Sequence, residues 1–165
     1  MIHERPSLLL TSGPPVDAGD RYGSWPLQVA PQLARVRQAV DQLARLRYAH
    51  PSLDLPEPSL LGVMERLALV VSELGSNALR HGQAPITVTL SRLRGGWMLN
   101  VTDGAAEAVP VLTPASERGT HRHGLEVVAL VSTDVGWFVD ADQSKHVWAL
   151  VPDETPDGLA ELVGD

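Results

Sequence analysis

The chain has no cysteine, which excludes disulfides, thiolate nucleophiles and cysteine-held metals. It has one lysine, Lys145; every other Lys/Arg position is arginine. Positive charge is not in excess either. The formal net charge of −7 argues against a broad basic face, and with it against non-specific binding to nucleic acid or an anionic membrane. A nucleotide is still admissible, because a pocket can be locally positive or lined with backbone N–H groups. No apolar run approaches the roughly 20 residues needed to span a bilayer. The patch Leu8 to Leu10, behind Glu4 and Arg5, is too short and wrongly flanked for a signal peptide. The expectation is a cytoplasmic protein with no membrane segment and no direct nucleic-acid contact.

At 165 residues the chain suits one domain with a substantial core. Residues 1–22, rich in proline and glycine, read as a loose leader, residues 23–151 as the domain and residues 152–165 as an acidic tail. Trp25, Leu27 and Val29 alternate as in a short strand. From Pro31 to Tyr48, Leu33, Val36, Val40, Leu43 and Leu46 recur at helical spacing. After a proline-rich break, Ser59 can cap a second helix reaching about His81, with Gly82 as its C′ residue. Ile86–Leu90 and Trp97–Val101 read as two strands joined through Arg94-Gly95-Gly96. Residues 104 to about 120 read as a loop, Gly124–Val131 as a helix, and strands are expected near Gly136–Val139 and Lys145–Val151. Leu159–Val163 could add one helical turn. This order predicts an α+β domain, a two-layer helix-on-sheet sandwich with a mixed, mostly antiparallel sheet.

Three segments could carry chemistry. In Glu73-Leu-Gly-Ser-Asn77-Ala-Leu-Arg80-His81, positions 73 and 77 share a helix face, and 80 and 81 lie a turn further along it. A carboxylate and a carboxamide so placed suit a hard divalent cation, which takes oxygen ligands and keeps several waters. The alternative is a solvated helix edge with a polar end. Asn100-Val-Thr-Asp103-Gly104 closes a strand, where Asp103 could accept from an adenine amino group or could simply initiate a turn. Gly119-Thr-His121-Arg122-His123-Gly124-Leu125 leads from loop to helix, a junction where backbone can approach phosphate. An ordinary flexible loop is the competing reading. A zinc site at His121 and His123 is not expected, for want of further ligands at a recognisable spacing.

The order and spacing of these segments resemble the GHKL (Bergerat-fold) histidine-kinase-like ATPases, in particular the small anti-sigma-factor serine/threonine kinase type. Leu67 to Gly82 is similar to that family's N box, a Ser-Glu-Leu…Asn-Ala…His-Gly run. Asn100 to Asp103, followed by Pro110, resembles its adenine-binding strand end. His123-Gly124-Leu125 is similar to the start of its phosphate-loop helix, and Lys145-His-Val-Trp148 to its closing Gly-Lys-x-Val-Trp strand. The resemblance covers roughly residues 25–151. It implies ATP and Mg2+ as cofactors, Asn77 as the metal ligand and Glu73 as general base. It further implies nucleotide contacts from Asn77, Arg80, His81, Asp103, Gly119, His123, Gly124, Leu125 and Lys145. The implied partners are a sigma factor and an anti-anti-sigma (STAS-type) protein, with a homodimer also in the family's repertoire. Two departures are notable. His121-Arg122-His123 stands where the family has a second glycine, and Ala105 stands where it has glycine or serine. They keep a second expectation open, a nucleotide-binding or non-catalytic interaction module of the same fold.

Overall fold

The computed structural model describes residues 11–49, 62–108, 110 and 124–156. The elements are β1 (Thr11–Ser12), β2 (Asp20–Leu27), α1 (Ala30–Tyr48), α2 (Val63–His81), β3 (Ile86–Leu93), β4 (Gly96–Asp103), α3 (Gly124–Val131), β5 (Asp134–Val139) and β6 (Lys145–Pro152). One six-stranded sheet runs β1-β5-β6-β4-β3-β2. Among the described residues only the β1–β5 pair is parallel. This is the expected α+β helix-on-sheet sandwich.

The apolar spacing of α2 explains its central place. Leu67, Val70, Val71, Leu74 and Ala78 recur on one stripe and are buried. They meet Val88 and Leu90 of β3, Leu99 and Val101 of β4, and Ala149 and Val151 of β6 in one cluster. Burying each such side chain contributes about 1.5–3 kcal/mol. α1 covers β2 and flanks α2, while α3 flanks it on the other side and reaches β5 and β6. Gly75 makes the α1–α2 contact possible, since a β-carbon there would stand 2.5 Å from Leu33 Cδ1. At the start of α1, Gln32 Oε1 accepts the N–H groups of Gln28 and Val29, at 2.6 and 3.2 Å. β3 and β4 are joined by Arg94-Gly95, where Gly95 has φ +81°, the left-handed geometry a tight hairpin requires.

Alternation along β4 points Trp97, Leu99 and Val101 at the helices, and Asp103 continues that series. Lys145 continues the series of Val147, Ala149 and Val151 in the same way, and the register pairs it with Asp103. Two buried charged residues therefore stand side by side at the end of the helix-facing surface.

Two boundaries and the role of one glycine differ from expectation. The stretch read as a loose leader contains β1 and the first residues of β2, and Trp148 Nε1 donates to Gly13 O at 2.9 Å. Its proline and glycine content hid strands stabilised by long-range pairing. The tail begins with structure as well: Pro152 ends β6, and the Asp153 carboxylate pairs with Arg92. Gly82 does follow α2, but with φ −86° and ψ −178°, so its conformation is extended and its role is not a left-handed cap. The cap expected at Ser59, like the helical turn at 159–163, lies outside the described residues; α2 begins after Gly62.

Candidate functional site

The last two turns of α2 and the first residue of α3 make one half of the site. Glu73 and Asn77 are both partly buried, one turn apart on the same face. A β-carbon built on Gly124 would fall 2.7 Å from Glu73 Oε2, 3.5 Å from Asn77 Nδ2 and 3.6 Å from Asn77 Oδ1. With glycine here, the backbone that opens α3 lies directly on this carboxylate and amide, and any β-carbon would oblige the Glu73 side chain to shift. Arg80 Nη2 stands 3.5 Å from Asn77 Oδ1. Arg80 and His81 are exposed, and both sit in the last turn of α2, where cations suit the helix dipole. Leu125 turns inward and packs on the core, so it anchors α3.

The other half lies where β4, β6 and the segment after α2 meet. Asp103 is 3% exposed and Lys145 is 5% exposed. Lys145 Nζ stands 3.4 Å from Asp103 Oδ2 and donates to Ala108 O at 3.0 Å. The Ala105 N–H donates to Asp103 Oδ1 at 2.7 Å, so Asp103 does initiate the local turn that the plainer reading of Asp-Gly expected. An ionised carboxylate offers about four lone-pair positions, and these two contacts leave acceptor capacity over. Gly82 presses on the same group, because a β-carbon there would lie 2.9 Å from Asp103 Oδ2. Gly104 closes the corner by donating to Gln83 O at 2.7 Å. Gly82 and Ala105 thus belong to the Asp103 half of the site. The basis of Gly82 is steric, since a β-carbon there would also lie 2.6 Å from Ala78 O.

Lys145 is held in place by the β5–β6 turn. Asp140 Oδ1 accepts the N–H groups of Asp142 and Ser144, and Asp140 Oδ2 pairs with His146 Nε2 at 2.8 Å. The hydrogen bond with His146, chiefly, holds the Asp140 carboxyl below its ordinary value. From Asn77 to Gly82 the chain rises about 7–8 Å along the helix axis. A ligand engaging both halves must bridge roughly that distance.

The larger electrostatic perturbations lie at the opposite end of α2. Arg92 grips the Asp153 carboxylate with two bonds of 2.8 and 2.7 Å, and Tyr48 Oη donates to the same group. Trp97 Nε1 donates to Tyr48 Oη at 2.8 Å, and Arg66, fully buried, donates to Pro152 O at 2.7 Å. Burial, followed by the bond to Asp153, pushes Tyr48 up to about 12. Burial would raise the Asp153 carboxyl, but the bonds from Arg92 and Tyr48 reverse this and hold it below its ordinary value. Burial lowers Arg66. Perturbed groups often mark functional sites, yet these are explained by one another. They tie the end of β6 to α1, α2 and β3.

Gly119 and His123, with His121 and Arg122, lie outside the described residues. Among the described residues no group of three or more His, Cys, Asp or Glu side chains gathers to hold a metal. A cation on Asn77 would therefore draw most of its ligands from phosphate and water. No helix among the described residues is long and apolar enough to cross a membrane. Comparison with known proteins finds no family model that matches the chain and no curated protein that matches it.

Proposed function

We propose that the chain is an ATP-binding regulatory protein of the GHKL type. In this reading it is an anti-sigma factor of the cytoplasm that transfers phosphate to a serine or threonine of a STAS-type anti-anti-sigma partner. The observation that carries the proposal is the seating of Gly124 on Glu73 and Asn77. It leaves a cradle that a side chain would fill, at the start of α3, where backbone can come close to an anion. The donor set fits the implied ligands. Asn77 Oδ1 is a hard oxygen suited to Mg2+, and Asp103 has spare acceptor capacity for an exocyclic amine.

Each residue then has a distinct task. Asp103 orients the base, and Asn77 would hold the magnesium ion. Glu73 accepts the proton of the attacking hydroxyl, for which it must come within about 2.6–3.2 Å of that oxygen. The Gly124 backbone keeps Glu73 facing the phosphate end. Bound magnesium supplies charge neutralisation on the transferring group. The sigma factor and the STAS-type protein are the partners this reading requires.

Calorimetry with ATP, with and without Mg2+, tests the first step, and absence of magnesium-dependent binding ends the proposal. Transfer to a serine-bearing STAS-type protein tests the second, and Glu73→Ala should abolish it. Binding that persists without transfer, unchanged in Glu73→Ala, would instead assign a non-catalytic nucleotide-binding module.

A further inference from the structure

We infer that Lys145 is a positioning residue of the base end of the site, acting through Asp103 and the loop after β4, and that it does not contact phosphate. The inference rests on the nucleotide reading above and gives the single lysine an indirect role in place of the nucleotide contact that the resemblance implies.

The argument starts from burial. Lys145 is 5% exposed, and an ammonium so enclosed needs partners for its charge and its N–H groups. It has Asp103 Oδ2 at 3.4 Å and Ala108 O at 3.0 Å. Both lie on β4 or the loop that leaves it. Lys145 is also fixed at its backbone, as the β6 residue paired with Asp103 on one side and with Val139 on the other.

The consequences for the loop are specific. Residues 104–108 are tied by four bonds: Gly104 N–H to Gln83 O, Ala105 N–H to Asp103 Oδ1, Ala108 N–H to Ala105 O, and Lys145 Nζ to Ala108 O. Of these, only the lysine bond joins the far end of the loop to the sheet. Lys145 Nζ, 3.4 Å from Oδ2, also fixes the direction in which the buried carboxylate presents its acceptors. An acceptor facing a nucleobase favours an exocyclic amine, as in adenine, and disfavours a carbonyl, as in hypoxanthine. Lys145 therefore supports base selection through the carboxylate it neutralises.

The test compares adenosine, ADP and ATP on the full chain and on Lys145→Met. If Lys145 acts at the base end, all three ligands weaken by the same factor, about ten- to hundredfold for a lost charge-assisted arrangement. A loss that grows with the number of phosphates, leaving adenosine unchanged, overturns the inference. Lys145→Arg, which keeps the charge, should retain adenosine binding within a few-fold. Should Lys145→Met not fold, Asp103→Asn/Lys145→Met removes both charges and supplies the reading. It should lose the preference for ATP over inosine triphosphate, and retention of that preference counts against the inference. Hydrogen exchange without nucleotide examines the clamp independently. The Ala105 and Ala108 amides should exchange at least tenfold faster in Lys145→Met, with Val147 and Ala149 unchanged; equal rates refute the clamp. If the wild-type chain binds none of the three ligands, the nucleotide reading falls and the positioning role with it, whereas the exchange result still decides the clamp.

Discussion

Gly124→Ala should separate stability from function more cleanly than any other single change in the site. The added β-carbon would lie 2.7 Å from Glu73 Oε2. Restoring an ordinary contact of about 3.4 Å obliges that oxygen to withdraw by about 0.7 Å. The colliding atom is the free end of a long side chain, so it can yield by rotation at small cost. The expected net change in unfolding free energy is therefore within about 1 kcal/mol, measured by urea denaturation. On the proposed function, activity should respond far more, since a misplacement near 1 Å of a group meant to meet a hydroxyl proton costs on the order of 10²-fold in rate. The assay is magnesium-dependent phosphoryl transfer, run beside the denaturation curves on wild type, Gly124→Ala, Glu73→Gln and the double variant. Because the alanine acts through Glu73, it should add almost nothing to the loss already present in Glu73→Gln. Wild-type transfer by Gly124→Ala, or fully additive losses, would refute the reasoning. A stability loss of several kcal/mol would show instead that Glu73 is locked and not free to move.

Gly75→Val should destabilise the chain by about 1–3 kcal/mol through overpacking against Leu33, whose Cδ1 lies 2.5 Å from the added β-carbon. Leu33→Ala should recover part of that loss in a double-mutant cycle read by urea denaturation, whereas additivity would contradict the contact. Asp153 is held low in the folded state, so its contribution is present above the unfolded value near 4 and is lost as pH falls through the folded one. Denaturation midpoints should drop below about pH 4, and Asp153→Asn should flatten that arm. Tyr48 is pushed up to about 12, so its contribution is intact below the unfolded value near 10 and disappears as pH rises toward 12. The loss should reach roughly 2–3 kcal/mol, and Tyr48→Phe should remove that alkaline slope.

Most elements with a strong period were legible. The spacing of Leu67, Val70, Val71 and Leu74 located α2, and the Arg94-Gly95 turn located the β3–β4 hairpin. Glu73 and Asn77 share a face because helical geometry requires it. Their meeting with Gly124 required the packing of α3 on α2, which no local pattern encodes. Features set by long-range pairing were missed. β1 exists because Thr11 and Ser12 find Gly136 and Trp137 more than 120 residues later, and Asp153 looked like tail because Tyr48, Arg66 and Arg92 are remote in sequence. The Lys145–Asp103 pair was hidden for the same reason, although alternation along two strands in register would have placed both residues on the helix-facing side.

The glycines at 82 and 124 make the two halves of the site a single construction. Each faces a carboxylate across the space of its absent side chain: Asp103, together with the still nearer Ala78 O, at Gly82, and Glu73 at Gly124. Neither has the positive φ that would make glycine a conformational necessity. Close approach is thus the common cause, and both approaches are made by α2 or by the residue that ends it. α2 carries Glu73 and Asn77 toward α3, and its exit brings Gly82 against Asp103, which Lys145 holds from β6. Anything that shifts α2 along its axis moves both halves together, so the Asp103 half and the Glu73–Asn77 half cannot be tuned separately through this helix. They can be tuned separately only through what meets it from outside, namely the start of α3 and the lysine on β6.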